Sequence, residues 1–197
     1  MVLVHGLAAS PTCWSTLTRA LRNRGMTLAM LNYAPIGVSV QQLADRLVDT
    51  VDQLLDQTGA SKVHLIGHSL GGVIIAQALT DTRLAGHVDT VVTIGSPFGG
   101  SPWASVLPIG PIAQALRPGS ALLRRLAATP APPGVRWLAF GSTLDVIVPA
   151  RRSTPANRQA QCVTVDRAGH SGMLLDPQVI NRIVTTITHD AGHLITA

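Results

Sequence analysis

The chain has little of several things that define common protein classes. Aromatic residues make up 3% and charged residues 13% of its 197 residues, against 46% hydrophobic residues. A chain this apolar and weakly charged is not a disordered polyelectrolyte, and its core must be built from Val, Leu, Ile and Ala. Such a core is typical of a parallel sheet that is buried on both faces. We expect residues 1–197 to form a single domain.

Motifs for metals, phosphate groups and disulfide frameworks are also missing. The sequence has no H-E-x-x-H, no Cys/His spacing typical of zinc, no EF-hand loop and no G-x-x-x-x-G-K-[ST]. It holds 2 cysteines, Cys13 and Cys162, for which free thiols are the default and a bridge is the alternative. We therefore expect no metal and no other cofactor.

Basic runs and long apolar runs are absent as well. The net charge is +5, but Lys62 is the only lysine and the arginines are scattered, which argues against a nucleic-acid partner. The longest uncharged stretch, residues 90–116, is interrupted by prolines, so it predicts no transmembrane segment. No secretory signal precedes the first predicted strand. This predicts a cytoplasmic protein, or a secreted one if the native amino terminus is longer.

What the sequence does contain is a regular alternation of short apolar strands and amphipathic helices. Such an alternation predicts an α/β fold with about six mostly parallel strands and helices on both faces. Ligands bind such sheets at the carboxyl ends of the strands. The predicted strands are 1–4, 27–31, 63–66, 90–94, 135–140 and 161–165, and the predicted helices are 12–23, 40–57, 70–80, a piece within 112–127, and 177–188.

Residues 67–71 read G-H-S-L-G and lie between a predicted strand and a predicted helix. This is the context of a nucleophile elbow, in which a serine stands on a tight turn above the sheet. Glycines on either side leave room for the neighbouring strand and helix. Ser69 is therefore the candidate nucleophile.

A serine hydroxyl needs a base, and His170 is the best candidate for it. It lies in a glycine-flanked loop between the last predicted strand and the last predicted helix. The other histidines fit less well, because they lie at the end of the first strand (His5), in a buried strand (His64), in the elbow itself (His68), at the wrong strand end (His87) or near the carboxyl terminus (His189 and His193).

A carboxylate should orient the base, and Asp145 follows the strand that precedes the histidine strand. The order Ser, Asp, His along the chain is that of the α/β-hydrolase triad. Asp166 is the main alternative because it lies close to His170 in the sequence. Asp176 precedes Pro177 and is interpreted as a helix N-cap.

Two backbone amides should bind the developing oxyanion. One is that of Leu70, the residue after the nucleophile, and the other comes from the loop after the first strand. Leu7 is the predicted donor there, with Ala8 as the alternative. We also expect the side chains of Leu7 and Leu70 to line an apolar acyl slot.

Residues 95–134 form a proline- and glycine-rich segment, which is predicted to be a functional loop or a partial lid. The alternative is a surface excursion that packs on its own side chains. Its apolar residues are Trp103, Val106, Leu107, Ile109, Ile112 and Leu116.

Residues 2–6, 67–72 and 93–97 resemble the α/β-hydrolase lipases, most closely the small bacterial lipases with a minimal core that lacks the first two strands and any large cap. The resemblance implies Ser69, Asp145 and His170 as a catalytic triad and Leu7 and Leu70 as oxyanion donors. It predicts a serine hydrolase that cleaves carboxylic esters, a lipase or esterase acting on acyl lipids with a transient lipid interface. The alternatives are a thioesterase or acyltransferase on the same triad, or a non-catalytic ligand-binding relative.

Overall fold

A computed structural model describes residues 1–7, 9–106, 110–155 and 160–188. Its centre is one sheet in the order β2-β1-β3-β4-β5-β6, and every neighbouring pair of strands is parallel. The prediction of six mostly parallel strands is confirmed. The strands are β1 (Val2–Val4), β2 (Ala29–Leu31), β3 (Val63–His68), β4 (Val88–Ile94), β5 (Arg136–Ser142) and β6 (Ala160–Val165).

Helices cover both faces of this sheet, as expected for parallel strands. One core cluster joins α1 and α6 to one face, and the other joins α2, α3, α4 and α5 to the opposite face. Successive strand residues alternate between the two clusters, since Leu65 belongs to one and Ile66 to the other. The helices are α1 (Ser15–Arg22), α2 (Val40–Thr58), α3 (Leu70–Ala78), α4 (Pro111–Ala115), α5 (Ala121–Ala128) and α6 (Pro177–Thr188).

The helix α2 illustrates how local sequence sets the bounds of these elements. Ser39 and Gln42 form a reciprocal capping box at its start, and Gly59 ends it in the left-handed conformation with φ 67°. One helical piece was predicted within 112–127, and helix is indeed found there. The chain forms two short helices in place of one, because Gly119 turns it with φ 72° directly after Pro118.

The fold places the predicted chemical residues at one edge. Leu7, Ser69, Asp145 and His170 each follow the carboxyl end of a different strand, namely β1, β3, β5 and β6. In the described part of the chain, no helix is both long and apolar enough to cross a membrane.

Candidate active site

Ser69 occupies a strained turn between β3 and α3. Its backbone has φ 53° and ψ −122°, and it is the one non-glycine residue with positive φ within the described ranges. A side chain on either flanking glycine would clash, because a Cβ on Gly71 would stand 2.1 Å from the Val4 carbonyl oxygen and one on Gly67 would stand 2.6 Å from Gly71. The surrounding backbone therefore holds Ser69 in a conformation that costs energy by itself.

Asp145 and His170 form a close pair at the edge of the sheet. Asp145 Oδ2 lies 2.6 Å from His170 Nδ1, and the carboxylate is fully buried. Its other oxygen accepts hydrogen bonds from the amides of Ile147 at 2.9 Å and Val148 at 2.7 Å. Because the carboxylate is an acceptor, His170 Nδ1 must carry the proton. The Nε2 of the neutral ring then keeps a free lone pair.

Ser69 and His170 line the same cavity, which has a volume of about 560 Å³. Within the described residues, no hydrogen bond joins the Ser69 hydroxyl to the His170 ring. Such bonds are often long or poorly aligned before a substrate binds and tighten in the complex. The structure therefore brings Asp145 and His170 into contact and places Ser69 on the same cavity wall.

The two predicted amide donors come from different elements of the fold. Leu7 follows β1 and lines the cavity, and no described residue accepts a hydrogen bond from its amide. Leu70 begins α3, where backbone amides have no partner inside the helix. Its side chain is buried in the core instead of lining the cavity, so the expectation that both leucines line one slot was wrong. Ala8, the alternative donor, lies outside the described residues.

Part of the cavity wall is built by residues of the segment 95–134, from Pro97 to Ala104 and from Ile112 to Leu116. Two hydrogen bonds hold this wall to the loop that carries Asp145: Ser101 Oγ donates to the Ile147 carbonyl at 2.7 Å, and Trp103 Nε1 donates to the Val146 carbonyl at 3.0 Å. The segment thus docks on the site and does not pack on its own side chains alone. Leu107 and Ile109 lie outside the described residues. The apolar residues around the cavity are Leu7, Ala9, Pro97, Trp103, Ala104, Ile112, Ala113, Leu116, Val146, Ile147 and Val148.

The loop of residues 166–171, here called the histidine loop, is anchored by buried side chains. Ser142 Oγ donates to the Ala168 carbonyl, and His68 Nε2 lies 3.1 Å from the His170 carbonyl. Gly95, with φ 57°, lets β4 approach closely, since a Cβ there would stand 3.2 Å from His170 Nδ1 and 3.3 Å from Asp145 Oδ2. Sequence reasoning missed these supports, and the only signal for His68 was its place inside the elbow motif.

The alternative acids lie elsewhere. Asp166 is 79% exposed beside Arg167, whereas Asp176 accepts from the amides of Gln178 and Val179 and so caps α6. The N-cap interpretation of Asp176 is confirmed.

The remaining histidines have structural partners. His5 stacks on the Tyr33 ring at 4.3 Å, His64 lies 3.4 Å from Asp89, and His87 contacts the Ser61 carbonyl. His189 and His193 lie outside the described residues.

Neither cysteine lines the cavity that contains Ser69 and His170. Both are free thiols, and burial raises the pKa of Cys13 to about 11, which keeps it protonated at neutral pH. Among the described residues, no group of three His, Cys, Asp or Glu side chains could hold a metal ion. A second apolar cavity of about 270 Å³, with Phe98 and Trp137 in its wall, contains none of Ser69, Asp145 and His170.

Comparisons with known proteins show the family and the fold of the chain. The sequence pattern described as the alpha/beta hydrolase family matches residues 1–141. Triacylglycerol lipases of Pseudarthrobacter phenanthrenivorans and Burkholderia plantarii are each 35% identical over an alignment of 121 positions, which covers 53% of this chain and 34% and 31% of theirs. The match thus spans about a third of each lipase. The mature lipase BlEst2 of Bacillus licheniformis shares the fold with a TM-score of 0.79 at 16% identity, over 93% of this chain and 90% of that one.

Proposed function

Because the chain belongs to the alpha/beta hydrolase family, we propose that it is a serine hydrolase of carboxylic esters, a lipase or esterase for acyl lipids. One observation carries the proposal. His170, joined to the buried Asp145 at 2.6 Å, lines the same apolar cavity as the strained Ser69. A positioned base, its orienting acid and a nucleophile that lines the cavity are the parts that acyl transfer needs.

In the first half of the proposed reaction, Ser69 Oγ attacks the ester carbonyl carbon and His170 Nε2 takes the hydroxyl proton. Asp145 stabilises the resulting imidazolium through Nδ1, and the Leu7 and Leu70 amides hold the oxyanion. The tetrahedral intermediate then collapses, the carbon–oxygen bond to the alcohol breaks, and His170 returns its proton to the leaving alcohol. The acyl group remains on Ser69 as an ester.

In the second half, a water molecule takes the place of the alcohol. His170 Nε2 accepts a proton from the water while its oxygen attacks the acyl-enzyme carbonyl. Collapse of the second intermediate releases the carboxylic acid and returns the proton to Ser69. Each proton that leaves a nucleophile therefore passes through one nitrogen, which the Asp145 contact holds in the required tautomer.

The cavity wall favours a neutral acyl substrate. None of the described residues that line it is Lys, Arg, Asp or Glu. A carboxylate or phosphate buried there would lose its hydration without gaining a counter-ion, whereas an alkyl chain would gain free energy for each methylene removed from water. This argues for an ester over an acyl-CoA at this site, although the same triad would serve a thioesterase or an acyltransferase.

The surface around the cavity supports contact with lipid. All the large hydrophobic side chains that are exposed within the described ranges lie in loops after the carboxyl ends of strands. Hydrophobic residues gathered on one edge mark a protein or membrane contact more often than scattered ones do. We propose a transient lipid interface at this edge. The residues are Leu7, Ile36, Trp103, Val106, Leu144, Val146, Ile147 and Leu175.

A fluorophosphonate probe and a series of p-nitrophenyl esters test the proposal. Ser69→Ala should abolish both labelling and hydrolysis, since the probe reacts with an activated serine. Ser61→Ala is the matched control, because Ser61 is exposed at the opposite edge, before β3, and should label at the wild-type rate. Folded wild-type protein that neither labels nor hydrolyses esters would favour the non-catalytic relative.

A further inference from the structure

His68 lies between three parts of the proposed site. It ends β3, is 4% exposed, and its ring centre lies 4.8 Å from that of His170. Its Nε2 lies 3.1 Å from the His170 carbonyl oxygen. Its Nδ1 faces the chain after β1, because a Cβ on Gly6 would stand 3.1 Å away from it. The ring thus contacts both the histidine loop and the residue before Leu7.

These contacts determine which nitrogen of His68 carries the proton. A carbonyl oxygen only accepts, so Nε2 must donate to the His170 carbonyl, and Nδ1 of the neutral ring is left with a lone pair. Nδ1 has no hydrogen-bond partner among the described residues. A protonated ring would place a charge and an unpaired N–H in this buried position, which is unfavourable.

Electrostatics also favour the neutral ring. The pKa of His68 is lowered to about 4, mainly by burial and also by the neighbouring His170 and His5, while the hydrogen bond to the His170 main chain and the Asp145 carboxylate act in the opposite direction. His68 therefore keeps one protonation state across the range in which an imidazole base works. Its hydrogen bond to the His170 carbonyl is present whether or not His170 is protonated.

We infer that His68 is a positioning residue for His170, which it holds by donating Nε2–H to the His170 main-chain carbonyl. The inference rests on the proposed function. Asp145 fixes the ring of His170 at Nδ1, but the ring can still tilt about that single contact. The bond from His68 fixes the main chain of the same residue and so restricts this tilt, and loss of it should misplace the base. Small errors in the position of a catalytic group cost rate more than binding.

Replacing His68 with Gln or with Asn separates the effect of the hydrogen-bond donor from the effect of packing. In Gln the side-chain amide nitrogen reaches the position of a histidine Nε2, while in Asn it reaches that of Nδ1. His68→Gln therefore keeps the donor to the carbonyl, His68→Asn moves it toward Gly6, and His68→Leu removes it. Steady-state hydrolysis of a short p-nitrophenyl ester and the rate of fluorophosphonate labelling should be measured on all three, with thermal unfolding to confirm that each is folded.

We expect kcat and the labelling rate to fall about tenfold or more in His68→Asn and His68→Leu, the size of one lost hydrogen bond in the transition state. KM should stay within about twofold, and His68→Gln should recover most of the loss. Equal kcat in all four proteins, or a Gln variant as slow as the Leu variant, would refute the inference. Failure of the proposed function gives a different result, because wild-type protein would then not be labelled at all.

Discussion

Replacing Asp145 with Asn tests the proposed triad at the carboxylate, both oxygens of which have hydrogen-bond partners in the structure. The Asn side chain has one oxygen and one NH2 group where the carboxylate has two acceptors. The position of that oxygen is decided by the Ile147 and Val148 amides, which donate to Asp145 Oδ1 at 2.9 and 2.7 Å. In the opposite orientation, the NH2 group would face two N–H donors and leave both unpaired. Unpaired buried donors cost about 1–3 kcal/mol each, so the oxygen stays with the amides.

The NH2 group must then face His170 Nδ1, which lies 2.6 Å from the present Oδ2. To accept this N–H, Nδ1 must give up its proton, and the ring carries its proton on Nε2 instead. That nitrogen can no longer accept from Ser69. We expect kcat to fall by about four orders of magnitude, the loss found when a serine hydrolase histidine is held in the wrong tautomer, which corresponds to about 5.5 kcal/mol.

Asp145→Ala provides the comparison, because it leaves His170 free to adopt either tautomer. The Asn variant should therefore be slower than the Ala variant or equal to it, although Asn resembles Asp more closely in shape. Ester hydrolysis measured with burst titration of active sites gives kcat for each. The reasoning is refuted if Asp145→Asn keeps more than about a tenth of wild-type kcat, since a wrong tautomer cannot sustain that rate.

Three further predictions concern stability and the lipid interface. The free energy of unfolding should fall as the pH drops from 6.5 toward 4, because His68 takes up a proton in the unfolded chain but stays neutral in the folded chain, where its pKa is about 4. Urea titrations should show that this fall is smaller by about 3 kcal/mol in His68→Gln than in the wild-type protein. Gly71→Ala should destabilise by more than about 4 kcal/mol, since its Cβ would stand 2.1 Å from a carbonyl oxygen, whereas Gly110→Ala, with open space around it, should stay within about 1 kcal/mol. In Ser69→Ala protein, vesicles of brominated phosphatidylcholine should quench fluorescence only while Trp103 is present, because it is 51% exposed and the other tryptophans are buried; equal quenching in Trp103→Phe would argue against the interface.

Much of the fold could be predicted because it depends on local patterns. Short apolar runs predicted the strands, and an amphipathic pattern predicted the helix 40–57, which is α2 and in which Leu43, Leu47 and Val51 are fully buried. Parallel topology then placed Ser69, Asp145 and His170 at one edge without any knowledge of distances. It also ranked Asp145 above Asp166, because β5 and β6 are neighbours and a loop after β5 reaches the histidine loop from the side.

Side-chain direction at the turns could not be predicted in the same way. Leu70 points into the core because of the φ and ψ of the elbow before it, and a residue pattern does not specify those angles. The hydrogen bond from Trp103 to the Val146 carbonyl is another example. Every residue has a main-chain carbonyl, so the sequence does not indicate which one will accept a hydrogen bond. The same holds for the bond from His68 to His170.

The hydrogen bonds that could not be predicted from the sequence have one property in common. In each of them, one of the two partners is a main-chain atom. Two main-chain amides donate to Asp145, and His68 donates to the main-chain carbonyl of His170. Trp103 and Ser101, which line the cavity, donate to the main-chain carbonyls of Val146 and Ile147. Main-chain groups are the same whichever side chain a residue carries. The loop after β5 can therefore hold the proposed acid with its backbone while its side chains form the apolar wall. The position of the proposed acid and the shape of the apolar cavity are thus set by different atoms of the same residues.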